Sequence, residues 1–165
     1  MLQTRFTYKV SRLPVGRCGP HQKHMTPTFF RDRIFYFLLL APLPFWCALY
    51  LFGNGAKLND FWPLFNVVLL YPLVEELLFR GILQPILSKK FHRRWWLISS
   101  ANLMTSLIFV AAHFINHPPL WALATFLPSL VFGYMQERSG NVAAPIILHC
   151  AYNAGYFLVL DHALG

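Results

Sequence analysis

The feature that most constrains this chain is a group of charged residues inside a long apolar run. The sequence is largely apolar between Phe61 and Leu87, yet it contains Glu75, Glu76 and Arg80 there. A charge near the centre of a bilayer costs about 2.5–3.5 kcal/mol on insertion scales. Such residues are therefore expected to pair with one another or to perform chemistry.

Helical spacing separates the two glutamates. Glu76 and Arg80 are four residues apart, so on a helix they share a face and can neutralise each other. Glu75 points about 100° away and stays free. The alternative is a buried structural ion pair in a soluble helix, which the membrane-like flanking sequence disfavours. Glu75 is the residue that needs an explanation.

The composition favours a membrane protein over a nucleic-acid-binding one. Of the 165 residues, 56% are hydrophobic and 12% are charged, whereas soluble domains carry about twice that charged fraction. The net charge of +8 could indicate nucleic acid as a partner. However, the basic residues cluster at the ends of apolar runs and form no face with interleaved aromatic residues. We therefore expect no nucleic-acid partner.

The apolar runs predict an all-α fold, a polytopic membrane helical bundle of about five transmembrane helices. Residues 1–30 are predicted to be a disordered basic cytoplasmic tail, residues 31–60 a signal-anchor helix and loop, and residues 61–165 the core. The predicted helices cover residues 34–52, 61–88, 95–115, 120–136 and 142–160.

Several residues predict local features of these helices. Pro42 and Pro44 predict a kink in the first helix. Pro72, just before the glutamates, removes the helical hydrogen bond to the carbonyl of Val68. Asn141 is a plausible cap for the last helix.

The basic residues predict the orientation. Twelve of the fourteen Lys and Arg residues lie in residues 1–33, in residues 89–94 and at Arg138. The positive-inside rule then places these segments and the N-terminus in the cytoplasm, and the C-terminus outside. Trp95 and Trp96 follow the basic loop, where an interfacial aromatic belt is expected.

Two further pairs of polar or aromatic residues have helical spacing. Phe109 and His113 are separated by four residues, as are His149 and Asn153, so each pair shares a helix face. A single membrane histidine is often only a hydrogen-bonded packing residue. Together with the glutamates, however, these residues put ionisable groups on three membrane helices, which indicates a functional site.

The three motifs, in this order, resemble those of the CPBP family of CAAX-protease and bacteriocin-processing intramembrane proteases, which are related to the type II CAAX prenyl endopeptidase. The family motifs are EExxxR, FxxxH and HxxxN. The resemblance covers about residues 62–157 and implies that residues 61–165 form a CPBP-like intramembrane protease core. The matching stretches are Glu75-Glu-Leu-Leu-Phe-Arg80, Phe109-Val-Ala-Ala-His113 and His149-Cys-Ala-Tyr-Asn153.

The resemblance implies an intramembrane endopeptidase of the glutamic type. Its substrate would be a membrane-associated or C-terminally tailed protein, and the enzyme would be a multi-pass protein of the bacterial inner membrane. Glu75 would activate water and His113 would orient it, while His149 and Asn153 would stabilise the oxyanion. The supporting residues would be Glu76, Arg80 and Phe109.

Two alternatives stay open. Glu75, His113 and His149 would make a legitimate catalytic zinc set, although HExxH is absent and asparagine is a poor zinc ligand. We therefore expect no cofactor, with zinc as the alternative. The second alternative is a non-catalytic membrane immunity or scaffold protein. A proton-coupled transporter is disfavoured because the sequence has no internal repeat.

Overall fold

The computed structural model describes residues 28–52 and 61–162. Most of the predicted tail and the predicted loop at 53–60 lie outside these residues. The described part is mostly helical, as predicted, with one short antiparallel hairpin. The elements are a 3-10 turn (Thr28–Arg31), α1 (Arg33–Leu40), α2 (Leu43–Phe52), α3 (Phe61–Ser88), β1 (Arg94–Trp95), β2 (Ile98–Ser99), α4 (Ser100–His113), α5 (Pro119–Ala124), α6 (Phe126–Ser139) and α7 (Ala143–His162).

In the part of the chain that the structure describes, two helical stretches are long and apolar enough to cross a membrane by length and composition. They are Arg33–Phe52, which contains α1 and α2, and Phe61–Ser88, which is α3. α4 has 14 residues, a rise of about 21 Å, and is shorter than a hydrocarbon core of about 30 Å. The number of five spans therefore stays a prediction.

Polar side chains lie inside this bundle and large apolar side chains lie on its surface. Phe37, Leu51 and Leu120 are all exposed. Soluble proteins have the reverse distribution, and extensive exposed apolar surface marks contact with a membrane or a partner. The buried polar side chains are Glu76, Arg80, Gln84, Ser100, Asn102, Thr105, Ser106, Ser129 and His149.

α3 carries the glutamates and contains two π-helical segments, Asn66–Leu70 and Leu77–Leu83. Each segment is followed two residues later by a proline, Pro72 or Pro85. In a regular helix a proline ring clashes with the carbonyl four residues earlier. The wider π turn moves that carbonyl away from the ring, which explains why both segments lie where they do. Such π turns are frequent at functional sites.

The first π segment also shifts the hydrogen-bond register. The N–H of Tyr71 donates to the carbonyl five residues earlier, so the next donor in that register would be Pro72, which has no N–H. The carbonyl without a backbone donor is therefore that of Val67. A regular helix would instead leave the Val68 carbonyl without a donor, as the sequence predicted. Asn153 Nδ2 donates to the Val67 carbonyl at 2.7 Å and thereby joins α7 to α3.

The third predicted helix, at 95–115, was too long. The structure has a helix at Ser100–His113, and residues 94–99 form the hairpin instead. Ser99 Oγ accepts a hydrogen bond of 2.9 Å from the N–H of Asn102 and caps the helix. The predicted helix was too long for a local reason. Ser99 caps the helix at its start, so the helix does not extend back to Trp95 and Trp96.

The fourth predicted helix, at 120–136, is divided at Thr125 into α5 and α6. Pro128 explains the break, because its ring clashes with the carbonyl of Ala124 in a continuous helix. The predicted cap is confirmed, since Asn141 Oδ1 accepts a hydrogen bond of 2.9 Å from the N–H of Ala143.

The first helix is interrupted between α1 and α2, where its prolines predicted a kink. The prediction of a disordered tail through residue 30 was wrong at its end. Phe29 is only 3% exposed and its ring lies 5.1 Å from that of Phe35. The 3-10 turn is ordered because it buries this ring against the core.

Two ion pairs join the start of α1 and the hairpin to the end of α6. Asp32 pairs with Arg138 and also accepts a hydrogen bond from the N–H of Ile34, which caps α1. The Arg138 guanidinium, and then this N–H, hold the pKa of Asp32 below its usual range. Arg94 pairs with Glu137 at 3.2 Å. The start of α1, the hairpin and the end of α6 therefore meet at one end of the bundle.

Gly133 on α6 provides a test of the packing between α4 and α6. A Cβ atom at Gly133 would overlap the side chain of Asn102, which is buried and donates to the carbonyl of Leu130 at 2.9 Å. We expect Gly133→Ala to lower the free energy of unfolding by about 1–3 kcal/mol, as overpacking does. Thermal unfolding in detergent is the measurement.

Gly81→Ala is the matched control for this prediction. The nearest heavy atoms to a Cβ atom at Gly81 lie 3.9 Å away, so alanine fits and removes a helical glycine. Its thermal stability should be equal to or higher than that of the wild type. Equal stability of the two variants would contradict the tight packing of Gly133 against α4.

Candidate functional site

The site is built around Arg80, which is completely buried on α3. Its Nη1 donates to Glu76 Oε1 at 3.1 Å, so the predicted pair is present. Its Nη2 donates to the backbone carbonyl and to the hydroxyl of Ser129 on α6, at 2.8 and 2.6 Å. Sequence analysis missed Ser129, because a single serine in an apolar segment carries no motif.

Three aromatic rings surround the guanidinium. Arg80 Cζ lies 4.8 Å from the ring centroid of Phe109, 5.8 Å from that of Phe132 and 5.9 Å from that of Phe79. A desolvated cation is attracted to ring faces at such distances. The predicted supporting role of Phe109 thus has a concrete geometric basis.

His149 on α7 lies between the two glutamates. Its Nδ1 is 2.9 Å from Glu76 Oε1, and its Nε2 is 3.8 Å from Glu75 Oε2. The ring stacks on Phe132, with centroids 4.8 Å apart. The third family motif therefore contacts the first through His149, and the second motif reaches the same cluster through Phe109, whose ring lies against Arg80 and His149.

The two glutamates differ in accessibility. The side chain of Glu76 is fully buried, whereas that of Glu75 is 31% exposed. Because Glu76 Oε1 also accepts from Arg80, it acts as a carboxylate acceptor and His149 Nδ1 carries the hydrogen. The Nε2 atom of His149 is then the one that faces Glu75.

His113 on α4 is held by its own helix. Its Nδ1 lies 2.8 Å from the carbonyl of Phe109, which can only accept, so Nδ1 donates and Nε2 carries the lone pair. The Phe109 ring lies 4.3 Å from that of His113 and 6.0 Å from that of His149. Within residues 28–52 and 61–162, no hydrogen bond joins His113 directly to Glu75.

Asn153 follows His149 by one turn of α7, and its Nδ2 holds the Val67 carbonyl. This amide nitrogen has a second hydrogen. The side chain is half-buried. Its observed contact is structural, and an oxyanion contact stays a prediction.

The described residues contain no group of three or more His, Cys, Asp and Glu side chains arranged to hold a metal ion. Glu75 Oε2 and His149 Nε2 are 3.8 Å apart, and the Phe109 ring lies near both histidines. Glu75, His113 and His149, the alternative zinc set, do not form such a group in the described part of the chain.

Residues 57–155 match the family model described as type II CAAX prenyl endopeptidase Rce1-like. This match covers more than half of the chain and includes all three motifs. The chain belongs to this family. The family assignment made from the motifs is confirmed, and membership together with the two long apolar helices indicates a membrane protein of a protease family.

A relative from Escherichia coli gives a second comparison. It is described as an "Uncharacterized 24.3 kDa protein" and is 37% identical over 99 residues, which are 60% of this chain and 44% of the relative. The chain thus spans less than half of the length of the curated relative that it matches. No solved structure matches this Rce1-like chain.

Arg80→Gln tests the central ion pair. The variant leaves a buried carboxylate at Glu76 without its cation, which typically costs about 3–5 kcal/mol. We expect a marked loss of folded protein in the membrane, measured as monodisperse yield after detergent extraction.

The double variant Glu76→Gln with Arg80→Gln is the matched comparison. It removes both buried charges, so its yield should exceed that of Arg80→Gln alone. Ser129→Ala removes one hydrogen bond to the guanidinium and should have a smaller effect. If Arg80→Gln had the yield and stability of the wild type, the result would contradict a stabilising role for the Glu76–Arg80 ion pair.

Proposed function

We propose that this chain is an intramembrane endopeptidase that uses Glu75 to activate water for hydrolysis of a peptide bond. The observation that carries the proposal is the position of His149. One of its ring nitrogens is hydrogen-bonded to the buried Glu76, and the other faces the partly exposed Glu75. A purely structural pair would have no need of a second, partly exposed carboxylate on the other side of the ring.

Glu75 is the proposed general base. It takes a proton from water while the resulting hydroxide attacks the peptide carbonyl, and it then gives the proton to the leaving amine. The 3.8 Å between Glu75 Oε2 and His149 Nε2 is too long for a direct hydrogen bond. The distance leaves the two groups available to contact the reacting atoms between them.

The proposed oxyanion donors are His149 and Asn153. Because the Nδ1 hydrogen of His149 is committed to Glu76, His149 must carry a second hydrogen on Nε2 to donate to the oxyanion. The second amide hydrogen of Asn153 would be the other donor. Preorganised donors of this kind are usually the largest single contribution to such a reaction.

His113 is proposed to orient the attacking water through Nε2. Its Nδ1–H bond to the Phe109 carbonyl leaves that lone pair as an acceptor. Glu76 has a second proposed role besides pairing with Arg80, since it orients the imidazole of His149. Glu76 is thus a positioning residue.

The proposed setting is the bacterial inner membrane, with five spans and a cytoplasmic N-terminus. The clustering of Arg31, Arg33 and Arg138 with the basic loop at one end of the bundle supports this orientation. The proposed substrate is a membrane-associated or C-terminally tailed protein, since Glu75 is partly exposed on a helix that is long and apolar enough to cross a membrane. A reporter that works only in the cytoplasm should be inactive when it is fused after Gly165. Activity of this fusion would contradict the proposed topology.

Glu75→Gln tests the catalytic proposal against a scaffold role. The change keeps the shape of the side chain and removes both the base and a membrane charge, so folding should be intact and cleavage of a membrane peptide abolished. Asp32→Asn is the matched control, because it neutralises an acidic residue at the end of the bundle. Turnover by purified protein is the measurement, and equal turnover of Glu75→Gln and the wild type would refute the base.

The same assay distinguishes the metal-free enzyme from the zinc alternative. A chelator should change the turnover of the wild type little if Glu75 is the sole activator of water. Inactivation by chelator that zinc restores would instead support zinc held by Glu75, His113 and His149.

Asn153→Ala tests the oxyanion role. Loss of one donor typically lowers kcat by about 10²–10³. The variant also leaves the Val67 carbonyl without its donor, so thermal stability is measured beside kcat. A fall in stability with unchanged kcat per folded molecule would assign Asn153 to structure alone.

A further inference from the structure

The segment between α3 and α4 presents an unusual surface. Residues 94–99 form a two-stranded hairpin whose tip is Trp96 and Leu97. Trp96 has a φ of 57° and is 94% exposed. A left-handed conformation is unfavourable for a bulky residue, and an indole so exposed would be poorly placed in water. An indole is favoured at the headgroup level of a membrane.

The hairpin is held against the bundle by hydrogen bonds and one ion pair. Both carboxylate oxygens of Glu137 are used, one by Ser99 Oγ and the other by Arg94 Nη2. Ser100 donates from its N–H and from its hydroxyl to the carbonyl of Arg93, both at 2.8 Å. The segment that carries the basic side chains is therefore ordered before any ligand arrives.

An open groove of about 370 Å³ lies between this segment and α4. One side is basic and carries Lys90, His92 and Arg93. The other side is apolar, with Leu103 and Met104 from α4. Phe91 and Trp95 also line the groove. The groove thus combines a side that carries basic residues with an apolar side.

The charges in the groove are not balanced by protein carboxylates. Arg94 is paired with Glu137, but Lys90 and Arg93 take part in no ion pair with the described side chains of residues 29–52 and 61–158. The groove lies at the same end of the bundle as the Asp32–Arg138 pair. An occupant must be anionic at the bundle end and apolar along α4.

We propose that this groove binds one anionic phospholipid of the surrounding leaflet. The headgroup phosphate contacts Lys90 and Arg93, and the first carbons of an acyl chain lie over Leu103 and Met104. Trp96 enters the same leaflet beside the lipid, which accounts for its exposure. This site is separate from peptide hydrolysis and stands whether or not Glu75 is the catalytic base.

The test is native mass spectrometry of the delipidated full chain in detergent, titrated with phosphatidylglycerol or with phosphatidylcholine of the same acyl chains. Each basic residue near the headgroup contributes about fivefold in affinity, so two residues predict about a 25-fold preference for phosphatidylglycerol. Lys90→Gln with Arg93→Gln should remove most of that preference.

Arg31→Gln with Arg33→Gln is the matched control. These residues are also exposed at the same end of the bundle, and the change in net charge is equal. The control should keep the wild-type preference. An equal loss in both double variants, or no loss in either, would overturn the proposal.

A competition arm separates a lipid from a free phosphate compound. Glycerol phosphate has the anionic group without acyl chains, so it should not displace phosphatidylglycerol at equal concentration. Displacement at equal concentration would overturn the role of the apolar side of the groove.

Discussion

The structure depends on the burial of the Arg80 guanidinium. A buried charge is tolerated only when it is paired and hydrogen-bonded, and here its partners come from two helices, α3 and α6. The Glu76 carboxylate neutralises the charge, the Ser129 carbonyl and hydroxyl accept hydrogen bonds, and aromatic rings complete the surroundings. Since the same Glu76 oxygen accepts from His149 on α7, this one cation and its partners join three helices, α3, α6 and α7.

The irregular geometry of α3 gives α7 its second attachment. Pro72 cannot donate, and the π turn before it leaves the Val67 carbonyl for Asn153. One face of α7 therefore contacts α3 twice, through an imidazole on a carboxylate and through an amide on a carbonyl. Glu75 lies between these two attachments and remains partly exposed. The arrangement thus joins α7 to α3 both before and after the proposed base along α3, while Glu75 itself stays partly exposed.

α3 also links the proposed site to the basic end of the bundle. Gln84, two turns after Glu76, donates to the Gly133 carbonyl at 3.0 Å and to Glu137 Oε1 at 2.9 Å. Glu137 in turn holds the hairpin that borders the proposed lipid groove. A polar network thus runs along the inside of the bundle while its outside is apolar. In a bilayer this distribution is favourable, because the buried side chains of Glu76, Arg80 and Gln84 have protein partners and the lipid meets hydrocarbon.

The sequence by itself determined the features that depend on neighbours along the chain. Helical spacing pairs Glu76 with Arg80. The side chain of Asn141 caps the last helix by accepting a hydrogen bond from the backbone N–H two residues later. The three motifs specify the family. Only the tertiary structure decided that Ser129, 49 residues after Arg80, completes its coordination, and that His149 bonds Glu76 while facing Glu75. These contacts join different helices, and their acceptors include backbone carbonyls, which every residue possesses. Residue types along the chain therefore cannot indicate them, whereas the packing of helices around a buried cation selects them.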